Sequence, residues 1–358
     1  MNSIFSSSIA EPLSFSFVDF LACWMDGRGF GVQTWRDQVS EQLSSSEKER
    51  QSGTYRLERL LTNADAQNIV RRVYEWFEDI STGRCELLAE FQARFQIIGV
   101  IGIPRSGGSF LTAELFSAMG HDPDAVPSIV AHDGFPGAEP FRLDRTRNSW
   151  VRSIASMSEY LTIVELYYSG TARRGDKIIV PKKLTKAAYA GRFFREILGE
   201  DAEYILTLRH PLHAAISTYE KSGGLPVDGR FKRRSAIEKW IARDNAHFDV
   251  GQRDISQLPY LEAYIKYWET YHIKLAMSGL LASRKHRLVA YGKSYMEEAA
   301  RSLRVRFGSA GSPSEFYVDE TISSRHSDWQ SRAEQAINSV ATVWNVVGLE
   351  FPREKICA

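Results

Sequence analysis

The run Gly102-Ile103-Pro104-Arg105-Ser106-Gly107-Gly108-Ser109 constrains this chain more than any other stretch. It follows the apolar segment Ile97-Ile98-Gly99-Val100-Ile101 and opens onto a helical pattern from Ser109 to Met119. A strand that feeds a glycine-bearing turn and then a helix brings backbone N–H groups and the positive end of the helix dipole to one point, where an anion fits. The spacing is that of the phosphate loop Gly-x4-Gly-Lys-Ser/Thr, with Gly108 where the lysine would stand. That lysine neutralises the β- and γ-phosphates of a nucleoside triphosphate, so its replacement argues against ATP or GTP hydrolysis. Arg105 keeps a cation inside the loop. The same letters also suit a plain strand-to-helix turn in which glycine supplies positive φ.

Around this turn the pattern alternates. Short apolar segments at Lys177-Ile178-Ile179-Val180, at 203–209 and at 287–291 read as strands. Helical patterns fall between them, at Trp150–Tyr168, Leu184–Leu198, the segment after Pro211, and a longer helix carrying Leu261, Ile265, Trp268, Tyr271 and Leu275. A last helix shows Ile337, Val340, Trp344 and Val347. Such alternation predicts an α/β fold: a parallel sheet flanked by helices, of the nucleotide-binding P-loop type. Residues 1–95, with Leu57, Leu60, Leu61, Ile69, Val70, Val73, Tyr74 and Phe77 at helical spacing, read as a helical N-terminal extension, and 96–358 as the α/β domain.

The whole chain carries 45 Lys and Arg against 44 Asp and Glu, a balance that gives no global attraction to nucleic acid or an anionic membrane. The cluster Arg230-Phe231-Lys232-Arg233-Arg234 reads as a solvated face or as a contact to a cofactor phosphate. Cys23, Cys85 and Cys357 show neither metal spacing nor a disulfide framework, and no acidic pair attends the loop, so no metal site is expected. Asp19 and Asp26 interrupt the apolar stretch around Phe20–Trp24, which fits neither a signal peptide nor a span and points to a cytoplasmic protein.

A second segment acts with the loop. The strand Glu203-Tyr204-Ile205-Leu206-Thr207-Leu208-Arg209 runs into His210-Pro211, where proline favours a helix start, and Ser217 follows two turns later. A strand-end arginine and a helix-borne hydroxyl are able to share one phosphate. The pair of motifs resembles the sulfotransferases that use 3′-phosphoadenosine 5′-phosphosulfate (PAPS). Pro104-Arg105-Ser106-Gly107-Gly108-Ser109 matches the family's loop for the 5′-phosphosulfate, and Arg209 with Ser217 matches the arginine and serine on the 3′-phosphate. The resemblance covers about residues 96–350, with Arg287-Leu288-Val289-Ala290-Tyr291 similar to a later strand. It implies PAPS as cofactor, with Arg105, Ser106, Gly107, Gly108, Ser109, Arg209 and Ser217 binding it. Arg325 would complete the 3′-phosphate site, because Arg325…Asp328-Trp329 resembles the end of the family's last motif, though its glycines are missing.

The resemblance further implies in-line transfer of a sulfuryl group to a hydroxyl or amine of a small-molecule acceptor. In the family the strand corresponding to 177–180 ends in Lys-Thr-His; this chain reads Pro181-Lys182-Lys183-Leu184 and has no histidine there. Lys182 or Lys183 is therefore expected to supply charge to the transferring group, or simply to be solvated. The general base falls to His132, oriented by Asp133, or to Glu139, each of which also reads as an ordinary loop residue. His210 and His213 read as packing or helix-start residues. Competing readings are an atypical P-loop kinase and a catalytically inactive nucleotide-binding module of the same fold. No nucleic-acid or membrane partner is expected; a homodimer is compatible with the sequence.

Overall fold

Four short, largely apolar segments form a parallel sheet: β1 (Phe95–Ile101), β2 (Ile178–Lys183), β3 (Glu203–Leu208) and β4 (His286–Ala290). The structure is a computed structural model and describes residues 13–27, 56–137, 147–171, 175–221, 258–282, 285–318 and 329–357. Strand order is β2-β1-β3-β4. β1 meets β3 in the register Ile98↔Glu203 to Ile101↔Leu206, and β3 meets β4 from Tyr204↔His286 to Leu208↔Ala290. Both faces of β1 are buried, which is why its letters run apolar instead of alternating. The chain leaves β1 for β2 on one side and returns to β3 on the other. Beyond the carboxyl ends of the strands at such a reversal is the usual place for a ligand in an open α/β sheet.

The first helices in chain order are α1 (Phe15–Met25), α2 (Ala64–Thr82), α3 (Glu86–Arg94), α4 (Gly108–Ala118), α5 (Ser128–Ala131) and α6 (Arg147–Tyr167). There follow α7 (Gly191–Leu198), α8 (Pro211–Lys221), α9 (Tyr260–Met277), α10 (Lys293–Arg306), α11 (Gln330–Val346) and α12 (Arg353–Cys357). Contacts group the chain into two units. One holds the residues up to Ile97 with His121–Lys182; the other holds Ile98–Gly120 with Lys183 onward.

In the first unit, α2 packs on α6. Asn63 caps α2 by accepting from the Asp65 and Ala66 amides, and left-handed Gly83 ends it. Trp76, Phe91 and Phe95 build an aromatic core, with ring centroids 5.8 and 4.7 Å apart. Arg72 reaches Glu165 at 2.8 Å, and Trp76 Nε1 donates to the same carboxylate at 3.2 Å. In the second unit, α9 packs against α8 and α11, and α10 against α4. Glu114, 1 % exposed within α4, is matched by Arg304 at 2.9 Å and by the Ser314 amide at 3.0 Å.

Two elements differ from the sequence expectation. β2 continues through Pro181, Lys182 and Lys183 instead of stopping at Val180. Among the described strands it lies at a sheet edge, where a proline's missing N–H is tolerated. The single helix expected over Leu184–Leu198 divides into a 3₁₀ turn, Thr185–Ala188, and α7. Glycine is required at 191, where α7 begins, because the backbone there closes on Ser278: a Cβ would sit 2.3 Å from the Ser278 Cβ.

Candidate functional site

The loop after β1 is built by two left-handed residues. Arg105 has φ 67° and Gly107 φ 90°, and α4 starts at Gly108 with no side chain capping it. A helix start that its own side chains do not cap is a usual setting for an anion. Below the loop, Ser106 Oγ donates to Ile103 O at 2.7 Å and pairs with Thr207 Oγ1 at 2.7 Å. Ser106 is fully buried, so its hydroxyl shapes the loop from behind. Gly102 is required by contact: a Cβ there would stand 2.1 Å from Thr207 Oγ1.

The second motif converges on the loop. Arg209, at the end of β3, donates from Nη1 to the Arg105 carbonyl at 2.9 Å. Arg105 Nε in turn donates to Ser217 Oγ on α8 at 3.0 Å. Residues 104 and 112 positions apart in sequence therefore close one constellation. Arg209 lies under Tyr291, its guanidinium carbon 3.8 Å from the ring centroid, and is only 4 % exposed. Tyr291 joins an aromatic cluster with Phe316 at 5.2 Å, and Phe316 meets Phe110, the residue after Ser109, at 4.8 Å.

Lys183 belongs to the same unit as the loop. A Cβ on Gly108 would lie 3.4 Å from Lys183 Cε, so β2 brings an ammonium stem over the position where a phosphate loop carries its own lysine. Its neighbour Lys182 points to the other side of the strand and has a different fate. Lys182 Nζ donates to Ile129 O at 2.7 Å and Gly134 O at 2.8 Å, 4.6 and 4.5 Å from the centroids of Phe135 and Tyr160. It is fully buried in the first unit, where carbonyls and ring faces compensate its charge.

His132 and Asp133 also lie in the first unit; the His132 amide donates to Ser128 O at 2.7 Å and closes α5. Glu139, Arg325 and the Arg230–Arg234 cluster lie outside the described residues. Ser109 is exposed at the first turn of α4. His210, 3 % exposed, has both ring nitrogens buried without a hydrogen-bond partner. Burial first, then His213 and Arg209, push its pKa down to about 4, and burial and Arg209 lower His213 as well. Both imidazoles stay neutral at neutral pH beside a cationic site.

The chain matches no protein-family model, and no curated protein is significantly similar to it. Among the described residues no three metal-ligating side chains gather, and no helix is long and apolar enough to cross a membrane.

Sequence reasoning missed the aromatic cluster of Phe110, Tyr291 and Phe316. Its only signal was Phe110's place directly after the loop, and Phe316 comes from a segment without periodicity.

Proposed function

We propose that this protein is a sulfotransferase that binds PAPS and passes its sulfuryl group to a small-molecule hydroxyl or amine. One observation carries the reading: Arg209 holds the Arg105 carbonyl while Arg105 reaches Ser217. The two motifs that resemble the family's 5′- and 3′-phosphate elements thereby meet in a single site, as a ligand with phosphates at both ends of one ribose requires. The residues present fit such a ligand. The loop opens a helix that no side chain caps, two arginines and a lysine lie within reach of it, and aromatic faces adjoin Arg209.

Bound PAPS supplies an activated sulfuryl group and leaves as adenosine 3′,5′-bisphosphate. The acceptor oxygen or nitrogen forms the new bond to sulfur, the bridging bond to phosphate breaks, and the acceptor proton passes to a base. Arg105, Lys183 and the start of α4 at Gly107–Ser109 would face the charge that grows on the leaving phosphate, where preorganised donors act most strongly, while the Ser106 amide is held by Ile103 O. Arg209 and Ser217 hold the 3′-phosphate, and Tyr291, Phe316 and Phe110 offer stacking surface for a base. His132 and Asp133 belong to the other unit, and Lys182 is committed to its carbonyl cage, so the base is left unassigned.

Lys183 gives the kinase reading its one structural support, since it restores a cation above Gly108. Against it, the ends of β3 and β4 carry Arg209 and Tyr291, and no carboxylate for magnesium. Incubation with PAPS and a panel of phenols, alcohols and amines tests the proposal. Release of adenosine 3′,5′-bisphosphate that depends on acceptor supports it; no release across the panel, with magnesium-dependent ATP consumption, replaces it by the kinase.

A further inference from the structure

Helix α9 carries an aromatic face whose polar tips all end on the backbone of the site. Tyr260 Oη donates to Ala215 O at 3.1 Å, Tyr264 Oη to Pro104 O at 3.2 Å, Trp268 Nε1 to Arg209 O at 2.9 Å and Tyr271 Oη to Thr185 O at 2.9 Å. Steps of four, four and three residues keep these side chains on one stripe of the helix. All four are at most 2 % exposed. Their acceptors fall in the four segments that supply the site: α8 before Ser217, the loop before Arg105, the end of β3, and the turn after Lys183.

We infer that this face of α9 is a positioning device that sets the phosphate site before any ligand arrives, with Tyr264 as its key member. Carbonyl oxygens aimed at a bound anion would repel it. Here α9 draws the Pro104 and Arg209 carbonyls to itself, and Arg209 draws that of Arg105, which keeps these three oxygens from an anion at the loop. Tyr271 acts at one remove: it holds Thr185 O, while Thr185 Oγ1 donates to Gly102 O at 2.9 Å. The loop is thereby fixed on both sides of Ile103.

Tyr264 does more than hold one carbonyl. Its hydroxyl accepts from Thr218 Oγ1 at 3.2 Å as it donates to Pro104. Thr218 follows Ser217, and Pro104 precedes Arg105. The relay Thr218–Tyr264–Pro104 therefore runs beside the Arg105–Ser217 contact and locks the two phosphate elements at one spacing. Buried bonds of this kind are costly to break, because each leaves a polar atom unpaired. Tyr264 is thus a positioning residue that favours ligands with two anionic groups at that spacing over ligands with one. The ligand part of this inference rests on the nucleotide reading above.

Tyr264→Phe removes a single oxygen and keeps the ring. Tyr204→Phe is the matched control, since the Tyr204 hydroxyl is buried without a partner. Hydrogen–deuterium exchange of the ligand-free protein reads the device directly. Tyr264→Phe is expected to speed exchange across 102–110 about fivefold, the loss of a net bond of about 1 kcal/mol, with Tyr204→Phe unchanged. Calorimetry then compares adenosine 3′,5′-bisphosphate with AMP. The preference for the bisphosphate should shrink about tenfold in Tyr264→Phe alone. Unchanged loop exchange in Tyr264→Phe would overturn the positioning role, as would an unchanged preference in Tyr264→Phe when the wild type binds the bisphosphate. If the wild type ignores the bisphosphate, the nucleotide reading falls, and the exchange result still decides the role of α9.

Discussion

Arg105 is the residue at which fold and function pull against each other. Its φ of 67° costs a non-glycine residue about 1–2 kcal/mol, and nearby hydrogen bonds hold it there. Glycine would suit the backbone better, yet only the arginine reaches Ser217. Arg105→Gly should therefore leave stability within about 1 kcal/mol of wild type in urea denaturation, because relieved strain offsets the lost contact and the added unfolded-state freedom. Under the proposed function, sulfuryl transfer in the same variant should fall about a hundredfold or more, since the variant lacks the charge proposed to act on the leaving phosphate. Full activity in Arg105→Gly would remove this residue from the chemistry. Lys182 and Lys183 show how far one position matters: consecutive lysines on a strand face opposite ways, so one is caged among carbonyls and the other approaches the loop.

At the scale of elements, the sequence was most readable where pattern and burial coincide. The strand, turn and helix of Phe95–Ala118 followed from an apolar run and its glycines, and α8 begins at Pro211 as its proline required. The apolar run ends at Val180, and nothing local shows that two carbonyls and two rings wait for Lys182, a residue type that is rarely buried. The α9 ladder was hidden for a similar reason. Its aromatics read as core, and their partners lie 45 to 160 residues away.

The docking of α1 gives an element-scale prediction. Glu159 on α6 accepts from the Ser14 amide at 2.7 Å and from the Ser14 hydroxyl, while Ser14 caps α1. Burial pushes the Glu159 pKa up to about 7 against the opposing pull of the Ser14 bonds. The folded state thus binds the proton more tightly than the unfolded chain does. This contribution to stability is complete below about pH 4.5 and is lost as pH rises through 7. Wild type should lose about 2–3 kcal/mol from this group between pH 5 and pH 8. Glu159→Gln should flatten that part of the profile in urea titrations at the two pH values; an unchanged slope would show that Glu159 is ionised throughout.

For the molecule as a whole, near-neutral net charge leaves recognition to local clusters, and the described cations of the site gather in one of the two units. Arg105, Ser106, Gly107, Gly108, Lys183, Arg209 and Ser217 all belong to that unit, although they come from four segments of the chain. The motif spacing made their meeting legible in advance, since both motifs stand at strand ends of one parallel sheet. It could not show which lysine serves, because that depends on the side of β2 each one takes. Calorimetric titration with adenosine 3′,5′-bisphosphate, beside AMP and magnesium-ATP, tests the central claim most directly. Micromolar binding of the bisphosphate with a marked preference over AMP is the expected result. A preference for magnesium-ATP, or no binding to any of the three, would contradict it.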